Sequence, residues 1–313
     1  MSQKQLKDVA ASVRQRLLNR SRERGEDFQL TLIYYALERL MYRLSRSRHH
    51  DRFVLKGAML FSVWSEAPHR ATRDLDLLGR GDNAVSALEQ TFREICQTPV
   101  DDDGLEFIVD SIAGEEIRDR EEYEGVRLSF EARLGVARIP IQVDIGFGDV
   151  VLPKPERLSY PTLLDFPAPR LLAYPREAVV AEKYQSMVVL GIANSRMKDF
   201  FDLWFLARRF AFDGARLSQA IRATFERRRT PLRTAPPLCL TPEFVEDRNK
   251  QVQWKAFLDR AGVNVQRTSL TDVSTTLRAF LMPPTLEAAK GETSTAWWPE
   301  GGPWRKTEKA RRA

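Results

Sequence analysis

A pair of aspartates inside an apolar segment sets the strictest limit on how this sequence can fold. The stretch "TRDLDLL" places Asp74 and Asp76 on either side of Leu75. Residues 74–78 have the composition of a buried strand, and in a strand residues i and i+2 point to the same face. Leu75 and Leu77 are therefore expected to face the core, and both carboxylates the opposite side. Two such carboxylates repel each other, and Mg²⁺, which prefers oxygen ligands, would remove that cost.

A third aspartate lies on the polar face of a later strand. Residues 126–134 and 139–147 alternate between apolar and polar positions, and a short connection with a glycine joins them, which predicts an antiparallel hairpin of half-buried strands. Asp144 lies on the polar face of the second strand. If this strand neighbours residues 74–78, three carboxylates converge on an open face, an arrangement suited to one or two Mg²⁺ ions that bind a nucleoside triphosphate. The alternative for each aspartate alone is a solvated surface position.

A possible phosphate-binding turn precedes the aspartate pair. Lys56, Gly57 and Ala58 follow a predicted strand at residues 52–55 and open a predicted helix at residues 57–64. Glycine lets a phosphate approach the backbone, and a helix N-terminus supplies free N–H donors. An ordinary tight turn is the alternative interpretation of this glycine.

A lysine and two aspartates lie on a predicted helical hairpin further along the chain. Lys183 is on the first helix, and Asp199 and Asp202 share a face of the second. A lysine in this position can reach a phosphate as a point charge. A helical hairpin with an ordinary surface lysine is equally consistent with the pattern.

The remaining pattern predicts two domains and a tail. Two amphipathic helices open the chain, and six prolines between residues 153 and 175 indicate a linker before an almost wholly helical half. The C-terminal segment is rich in proline, glycine, lysine and arginine, which favours disorder, although three tryptophans in it suggest docking on another surface. The predicted divisions are a core with N-terminal helices at 1–165, a helical domain at 166–282 and a basic, disordered tail at 283–313. Further predicted elements are a helix at 83–96, a strand at 105–112, and helices at 176–190, 197–210, 214–228, 242–261 and 270–282.

Composition narrows the function classes. The chain has 313 residues and a net charge of +6, which fits an anionic partner without requiring one. Cys96 and Cys239 have no metal-ligand or redox neighbours, so a reducing cytoplasm is expected. The N-terminus has no signal-peptide pattern, and no apolar run is long enough for a membrane span.

Together these segments resemble the AbiEii/AbiGii toxin family, which includes the MenT toxins and contains nucleotidyltransferase-like toxins of bacterial toxin–antitoxin pairs. The resemblance covers residues 28–210. It implies an α/β fold, with a mixed-sheet core of the nucleotidyltransferase superfamily preceded by N-terminal helices and followed by an all-α C-terminal domain, and an active site in the cleft between the two. It also implies Mg²⁺, a nucleoside triphosphate (NTP), tRNA as the acceptor in some members, and a winged-helix-type antitoxin. The segments that carry it are "FVLKGAMLF", "TRDLDLL", "VDIGFGD", "EKYQSMV" and "SRMKDFFDLWFL".

The resemblance assigns roles to individual residues. Ala58 stands where the superfamily often has serine. Lys198 stands where the family often has arginine, so the positive charge is kept but the bidentate hydrogen bonding of a guanidinium is lost. Asp149 is a rival for the third carboxylate. The expected metal ligands are Asp74, Asp76 and Asp144, the expected catalytic residues Asp74, Asp76, Lys183 and Asp199, and the expected nucleotide-binding residues Lys56, Gly57, Ala58, Lys183 and Asp199.

Three functions are consistent with these residues. The first is an Mg²⁺-dependent toxin that transfers a nucleoside monophosphate (NMP) from an NTP to the tRNA 3′ end and so inhibits translation, with the arginines at 227–229 contacting RNA. A solvated helix end is the alternative for those arginines. The second is a nucleotidyltransferase acting on a small molecule, such as a cationic antibiotic, or on a protein, which the basic charge balance disfavours. The third is an inactive nucleotide- or partner-binding protein, which the intact aspartate pair opposes.

Overall fold

A computed structural model describes residues 8–65, 70–119, 123–260 and 268–306. Leu6, expected in the first helix, Ala261, expected at the end of another, and residues 307–313 of the predicted tail lie outside the described residues. The chain forms two compact units whose bounds differ from the predicted division. Asp149–Pro155 belongs to the helical unit, and the first unit extends to Ala173 instead of ending at residue 165. The first unit comprises Met1–Gly148 and Glu156–Ala173, and the second Asp149–Pro155 and Tyr174–Ala313.

The first unit is built on a mixed sheet. In the described part of the chain, seven strands form this sheet in the order β3-β4-β5-β2-β1-β7-β6. β2 pairs with β5, and β1 with β7, in parallel, and the other neighbours are antiparallel. The predicted hairpin and the predicted α/β class with a mixed sheet are therefore confirmed. The strands are β1 (Phe53–Lys56), β2 (Leu75–Gly79), β3 (Leu105–Asp119), β4 (Tyr123–Leu134), β5 (Ala137–Phe147), β6 (Glu156–Ser159) and β7 (Arg170–Ala173).

Three of these strands differ from the sequence prediction. β6 and β7 lie in the proline-rich zone that was expected to be a linker, because its prolines flank the strands instead of interrupting them. β7 has only four residues, of which Leu171 and Ala173 are buried, too few to give a periodic signal. β3 continues beyond residue 112 after a register irregularity, and its second half is a polar edge strand without an apolar repeat.

Helices cover the sheet of the first unit. Asp8 caps α1 by accepting a hydrogen bond from the Ala11 amide at 2.9 Å, and Gly25 ends the helix in the left-handed region at φ 63°. Among these helices, α2 contributes the largest set of buried apolar side chains. The helices are α1 (Val9–Arg24), α2 (Phe28–Arg46), α3 (Phe61–Trp64) and α4 (Val85–Cys96).

A buried charge cluster fixes α2 within the first unit. Arg39 Nε donates to Asp103 Oδ2 at 2.9 Å, and Arg43 donates to both carboxylate oxygens at 2.7 and 3.0 Å. Burial alone would raise the pKa of Asp103, but the hydrogen bonds and charges of Arg43 and Arg39 outweigh it, so the pKa is lowered. Arg39 also donates to the carbonyl of Pro167 at 2.9 Å, which ties the segment between β6 and β7 to the helix.

The second unit is helical, with a short three-stranded sheet among the described residues that the all-α expectation did not include. The predicted helix at 242–261 is two helices, since the chain turns after Val245. Among the described residues, none of the helices has both the length and the hydropathy needed to span a membrane. The elements are α5 (Arg176–Leu190), α6 (Met197–Arg209), α7 (Gly214–Arg227), α8 (Pro242–Val245), α9 (Arg248–Arg260), α10 (Leu270–Lys290), β8 (Phe212–Asp213), β9 (Ala296–Trp298) and β10 (Arg305–Lys306).

The expectation of a disordered tail is wrong for residues 283–306. α10 continues through Pro283 and Pro284 to Lys290, and β9 and β10 follow. Trp298 is 2% exposed and donates from its indole N–H to the Ala207 carbonyl at 2.7 Å. Trp304 donates to the carbonyl of Phe280 at 2.9 Å. Trp298 and Trp304 therefore dock on their own unit, whereas Trp297 is exposed, and this packing orders a segment whose composition alone favours disorder.

Glu38, on α2, gives the first unit a pH-dependent stability. Burial raises the pKa of its carboxyl from 4.5 to about 7, against the opposing hydrogen bond from the Leu163 amide. The unfolded chain ionises near the lower value and the folded chain near the higher one. The free energy of unfolding therefore falls as the pH rises between these two values, by about 3 kcal/mol in total from this group.

We expect Glu38→Gln to remove this dependence, because the introduced side-chain amide is neutral at every pH and its oxygen can still accept from Leu163. The measurement is urea unfolding of both proteins at about pH 5 and about pH 7.5, where the wild type should lose more stability than the variant. Parallel changes in the two proteins would contradict the prediction.

Candidate functional site

Three aspartates meet on one face of the sheet in the first unit. Asp74 directly precedes β2, Asp76 lies in β2, and Asp144 lies in β5. One carboxylate oxygen from each aspartate lies within 4.8 Å of the corresponding oxygens of the other two. All three residues are partly exposed. Leu75 and Leu77 are fully buried, so the strand turns its apolar side to the core and both carboxylates away from it. The convergence expected from the sequence is therefore present.

Asp76 and Asp144 belong to a row of charged residues that crosses five neighbouring strands. Adjacent members are register partners: Lys56 with Asp76, Asp76 with Asp144, Asp144 with Arg127, and Arg127 with Glu115. We call these five residues the charged row. A cation thus lies on each side of the two central carboxylates, which lowers the cost of placing them side by side.

Arg127 is the functional-site residue that the sequence analysis missed. Its Nε donates to Asp144 Oδ1 and its terminal nitrogen to Oδ2, each at 2.8 Å. The hydrogen bond with Asp144 is the main reason that the pKa of Arg127 is raised. The available signal was its place on the polar face of β4, between the buried Val126 and Leu128. Gln142 Nε2 lies 3.3 Å from both Asp144 oxygens.

Asp74 is held by the residues just before β2. The Thr72 hydroxyl donates a short hydrogen bond to Asp74 Oδ1. The Thr72 amide in turn donates to the hydroxyl of Tyr34, on α2, at 3.0 Å. Burial raises the pKa of this tyrosine, so its hydroxyl stays neutral at physiological pH. α2 therefore fixes the first aspartate through one intervening threonine.

Gly57 is required by its contact with Asp76. Its backbone has φ 72° and ψ −158°, and a Cβ at this position would lie 1.8 Å from Asp76 Oδ2. The single helix expected at 57–64 is a 3-10 turn at Ala58–Leu60 followed by α3, so the N-terminus of a long helix is not available there. Nucleotide binding by Lys56, Gly57 and Ala58 stays a prediction.

Lys183 forms a buried ion-pair cluster within the second unit. Its ammonium lies 2.7 Å from Asp199 Oδ1 and 2.8 Å from Asp202 Oδ2. The side chains of Lys183, Asp199 and Asp202 are 14%, 6% and 0% exposed. The two aspartates, which the sequence places on one helix face, thus both orient the lysine. Its assignment to the triphosphate is a prediction that these contacts leave open.

Asp149 has a different partner from the three clustered aspartates. Arg228 donates to its two carboxylate oxygens at 3.1 and 3.0 Å, and to Gln185 at 2.9 Å. Asp144, and not its rival Asp149, is therefore the third member of the carboxylate cluster. The same contacts bind Arg228, the middle arginine of the 227–229 run, to its own unit, which favours a structural role over RNA contact for this residue.

The donor set of the cluster fits a hard divalent cation. Asp74, Asp76 and Asp144 offer only oxygen, the ligand type that Mg²⁺ and Ca²⁺ prefer. Ligands around one Mg²⁺ lie about 2.0–2.1 Å from the ion, so small side-chain adjustments would bring three oxygens at this spacing onto a common centre.

Comparison with known proteins identifies the class. The family described as nucleotidyl transferase AbiEii toxin of type IV toxin–antitoxin systems matches residues 39–280, more than half of the chain. The protein is a nucleotidyltransferase. Within that class, the chain belongs to the AbiEii toxin family. The MenT-like subtype stays a prediction.

Solved structures give a weaker comparison. A candidate nucleotidyltransferase from H. pylori matches with 13% identity and a TM-score of 0.41, covering 81% of this chain and 92% of that one. JHP933 from Helicobacter pylori matches with the same identity and TM-score, covering 81% of this chain and 89% of that one. No curated protein matches the chain.

We expect Gly57→Ala to disrupt the carboxylate cluster, because the added methyl group collides with Asp76. Mn²⁺ binding, followed by electron paramagnetic resonance, should weaken by roughly tenfold or more, the typical effect of altering a neighbour that orients a metal ligand. Gly81→Ala is the matched control, since Gly81 also has a positive φ (86°) but no atom within 4 Å of the added Cβ. If Mn²⁺ affinity falls equally in both variants, backbone strain alone would explain the effect.

We expect Lys183→Met to destabilise the second unit by about 3–5 kcal/mol, because it removes the ammonium that contacts the two buried carboxylates of Asp199 and Asp202. Chemical unfolding measures this loss. A Lys183→Met/Asp202→Asn double variant should recover part of the stability, since it removes one of the two like charges. Unchanged stability in the single variant would mean that the ion pair is not formed in solution.

Proposed function

We propose that this protein is an Mg²⁺-dependent enzyme that transfers an NMP from an NTP to a hydroxyl at the 3′ end of tRNA and thereby inhibits translation. The observation that carries the proposal is the cluster of Asp74, Asp76 and Asp144 on an open sheet face. Family membership supplies the reaction class and the toxin–antitoxin context. The metal, the acceptor and the effect on translation are our inference.

The transfer is a substitution at the α-phosphorus of the NTP. The acceptor oxygen forms a bond to this phosphorus, the bond to the β-phosphate bridging oxygen breaks, and pyrophosphate leaves with the electron pair. The acceptor proton passes to solvent. Such a reaction depends on placement and on charge neutralisation more than on covalent participation of the protein.

The residues of the first unit would carry the metal-dependent part. Asp74, Asp76 and Asp144 would hold Mg²⁺, whose chemistry when bound is neutralisation of the charge that develops on the phosphate oxygens. Asp144 could serve either as a metal ligand or as the base for the hydroxyl. We propose the ligand role, because a carboxylate oxygen of Asp144 lies within 4.8 Å of those of Asp74 and Asp76.

The residues of the second unit would serve the triphosphate. Lys183 is a fixed cation, since Asp199 and Asp202 hold its ammonium in one position. A cation held in this way can bind a phosphate without first losing side-chain freedom. Lys56, Gly57 and Ala58 are proposed as further nucleotide-binding residues on the family resemblance.

The charge of the protein favours RNA over a cationic acceptor. The net charge of +6 attracts a polyanion and repels a cationic antibiotic. Because the family is described as the toxin of a toxin–antitoxin system, we also propose a protein antitoxin, of winged-helix type, as a partner. We place the reaction in the cytoplasm, where tRNA and NTPs are available.

The test is label transfer from each of the four α-³²P NTPs in the presence of Mg²⁺. Parallel reactions contain intact tRNA, tRNA whose terminal ribose has been oxidised, an aminoglycoside, or a protein mixture. We expect label on intact tRNA only. Label on the aminoglycoside or on protein would identify that molecule, and not tRNA, as the acceptor. Label on oxidised tRNA would show that the terminal hydroxyl is not the acceptor group.

We expect Asp76→Asn to lower this transfer by roughly a hundredfold or more, because metal stabilisation of the transition state contributes several kcal/mol. Asp110→Asn is the control, since Asp110 is an exposed aspartate of β3 outside the cluster. The proposal fails if the Asp76 variant keeps wild-type transfer.

A further inference from the structure

The Asp144 carboxylate is restrained by two neighbours. Arg127 donates to Oδ1 and Oδ2 with both bonds at 2.8 Å, and Gln142 Nε2 lies 3.3 Å from each oxygen. A carboxylate has about four lone-pair positions, and a two-pronged arginine uses one on each oxygen. Gln142 makes the longer and weaker contacts. An incoming cation would therefore replace Gln142 before it replaced Arg127.

We infer that Arg127 is a positioning residue that makes Asp144 a one-oxygen ligand of the catalytic cation. The inference rests on the metal-dependent function proposed above. The guanidinium covers the outer edge of the carboxylate, so Asp144 cannot chelate a cation with both oxygens. Asp144 then coordinates the cation on the side of the neighbouring carboxylates, whose ligand oxygens lie within 4.8 Å of its own. The cation must then be shared with Asp74 and Asp76.

The charge of Arg127 has a second, opposite consequence. A guanidinium in contact with a ligand repels any cation that this ligand binds. Removing Arg127 therefore strengthens cation binding, and it also frees Asp144 to rotate out of the productive geometry. Lysine would keep the charge but could not form the two parallel hydrogen bonds. Substitution by glutamine and by lysine thus separates charge from orientation.

The experiment measures Mn²⁺ affinity by electron paramagnetic resonance and kcat by label transfer. We expect Arg127→Gln to bind Mn²⁺ roughly threefold tighter or more, from the lost repulsion, while kcat falls roughly tenfold or more from lost positioning. We expect Arg127→Lys to keep Mn²⁺ affinity within about twofold of wild type. Its kcat should fall roughly tenfold or more, as in Arg127→Gln, because lysine cannot form the two parallel hydrogen bonds. A merely structural residue would not produce opposite changes in affinity and kcat.

Arg133→Gln is the matched control. Arg133 lies on β4 six residues from Arg127, and therefore on the same strand face. It pairs with Glu131 at 2.9 Å and is not a register partner of Asp144. Both Mn²⁺ affinity and kcat should equal the wild-type values. Thermal unfolding of all variants shows whether each is folded at the assay temperature.

Three outcomes would overturn the inference: a wild-type kcat in Arg127→Gln, a weaker Mn²⁺ affinity in that variant, or no Mn²⁺ binding by the wild-type protein. If label transfer fails with every acceptor, the proposed function fails separately. The binding measurement then decides alone. Tighter binding in the glutamine variant only would support the inference, and equal affinities in wild type and both variants would overturn it.

Discussion

Repulsion between two carboxylates in register is the constraint around which the first unit is arranged. Asp76 and Asp144 are direct neighbours on parallel strands, and Asp74 adds a third negative charge. Each neighbouring feature reduces the cost of this placement or fixes its geometry. Lys56 and Arg127 flank the pair in the charged row, and Gly57 leaves room for a carboxylate where any side chain would collide.

The charge of the cluster has chemical meaning. Asp74, Asp76 and Asp144 bring three carboxylates together, Lys56 and Arg127 flank two of them, and Glu115 ends the charged row with a further negative charge. A divalent cation held by the three carboxylates would supply the positive centre that attracts a polyphosphate. The partial exposure of all three aspartates fits a site that exchanges ions and substrate with solvent.

The parts of the fold that the sequence predicted are those where apolar periodicity is strong. The hairpin of β4 and β5 and the outward direction of Asp76 follow from clean alternation between buried and polar positions. The edge half of β3 and the short β6 and β7 were missed because edge and four-residue strands need no apolar repeat. The C-terminal segment was misjudged because two indole N–H groups, of Trp298 and Trp304, decide its order through contacts remote in sequence.

For the site, the sequence predicted residue types better than their partners. Asp144 was found because its strand alternates, whereas Arg127 was overlooked because its place on the polar face of β4 does not reveal its partner before the strand pairing is known. A buried control in the same unit shows how a structural aspartate differs from a functional one. Asp103 is 1% exposed and receives hydrogen bonds from two arginines, so its charge is fully compensated and sealed from water. The clustered aspartates are partly exposed and bring three carboxylates together, and this accessible convergence of like charges is the physical reason to assign them to a cation and its substrate.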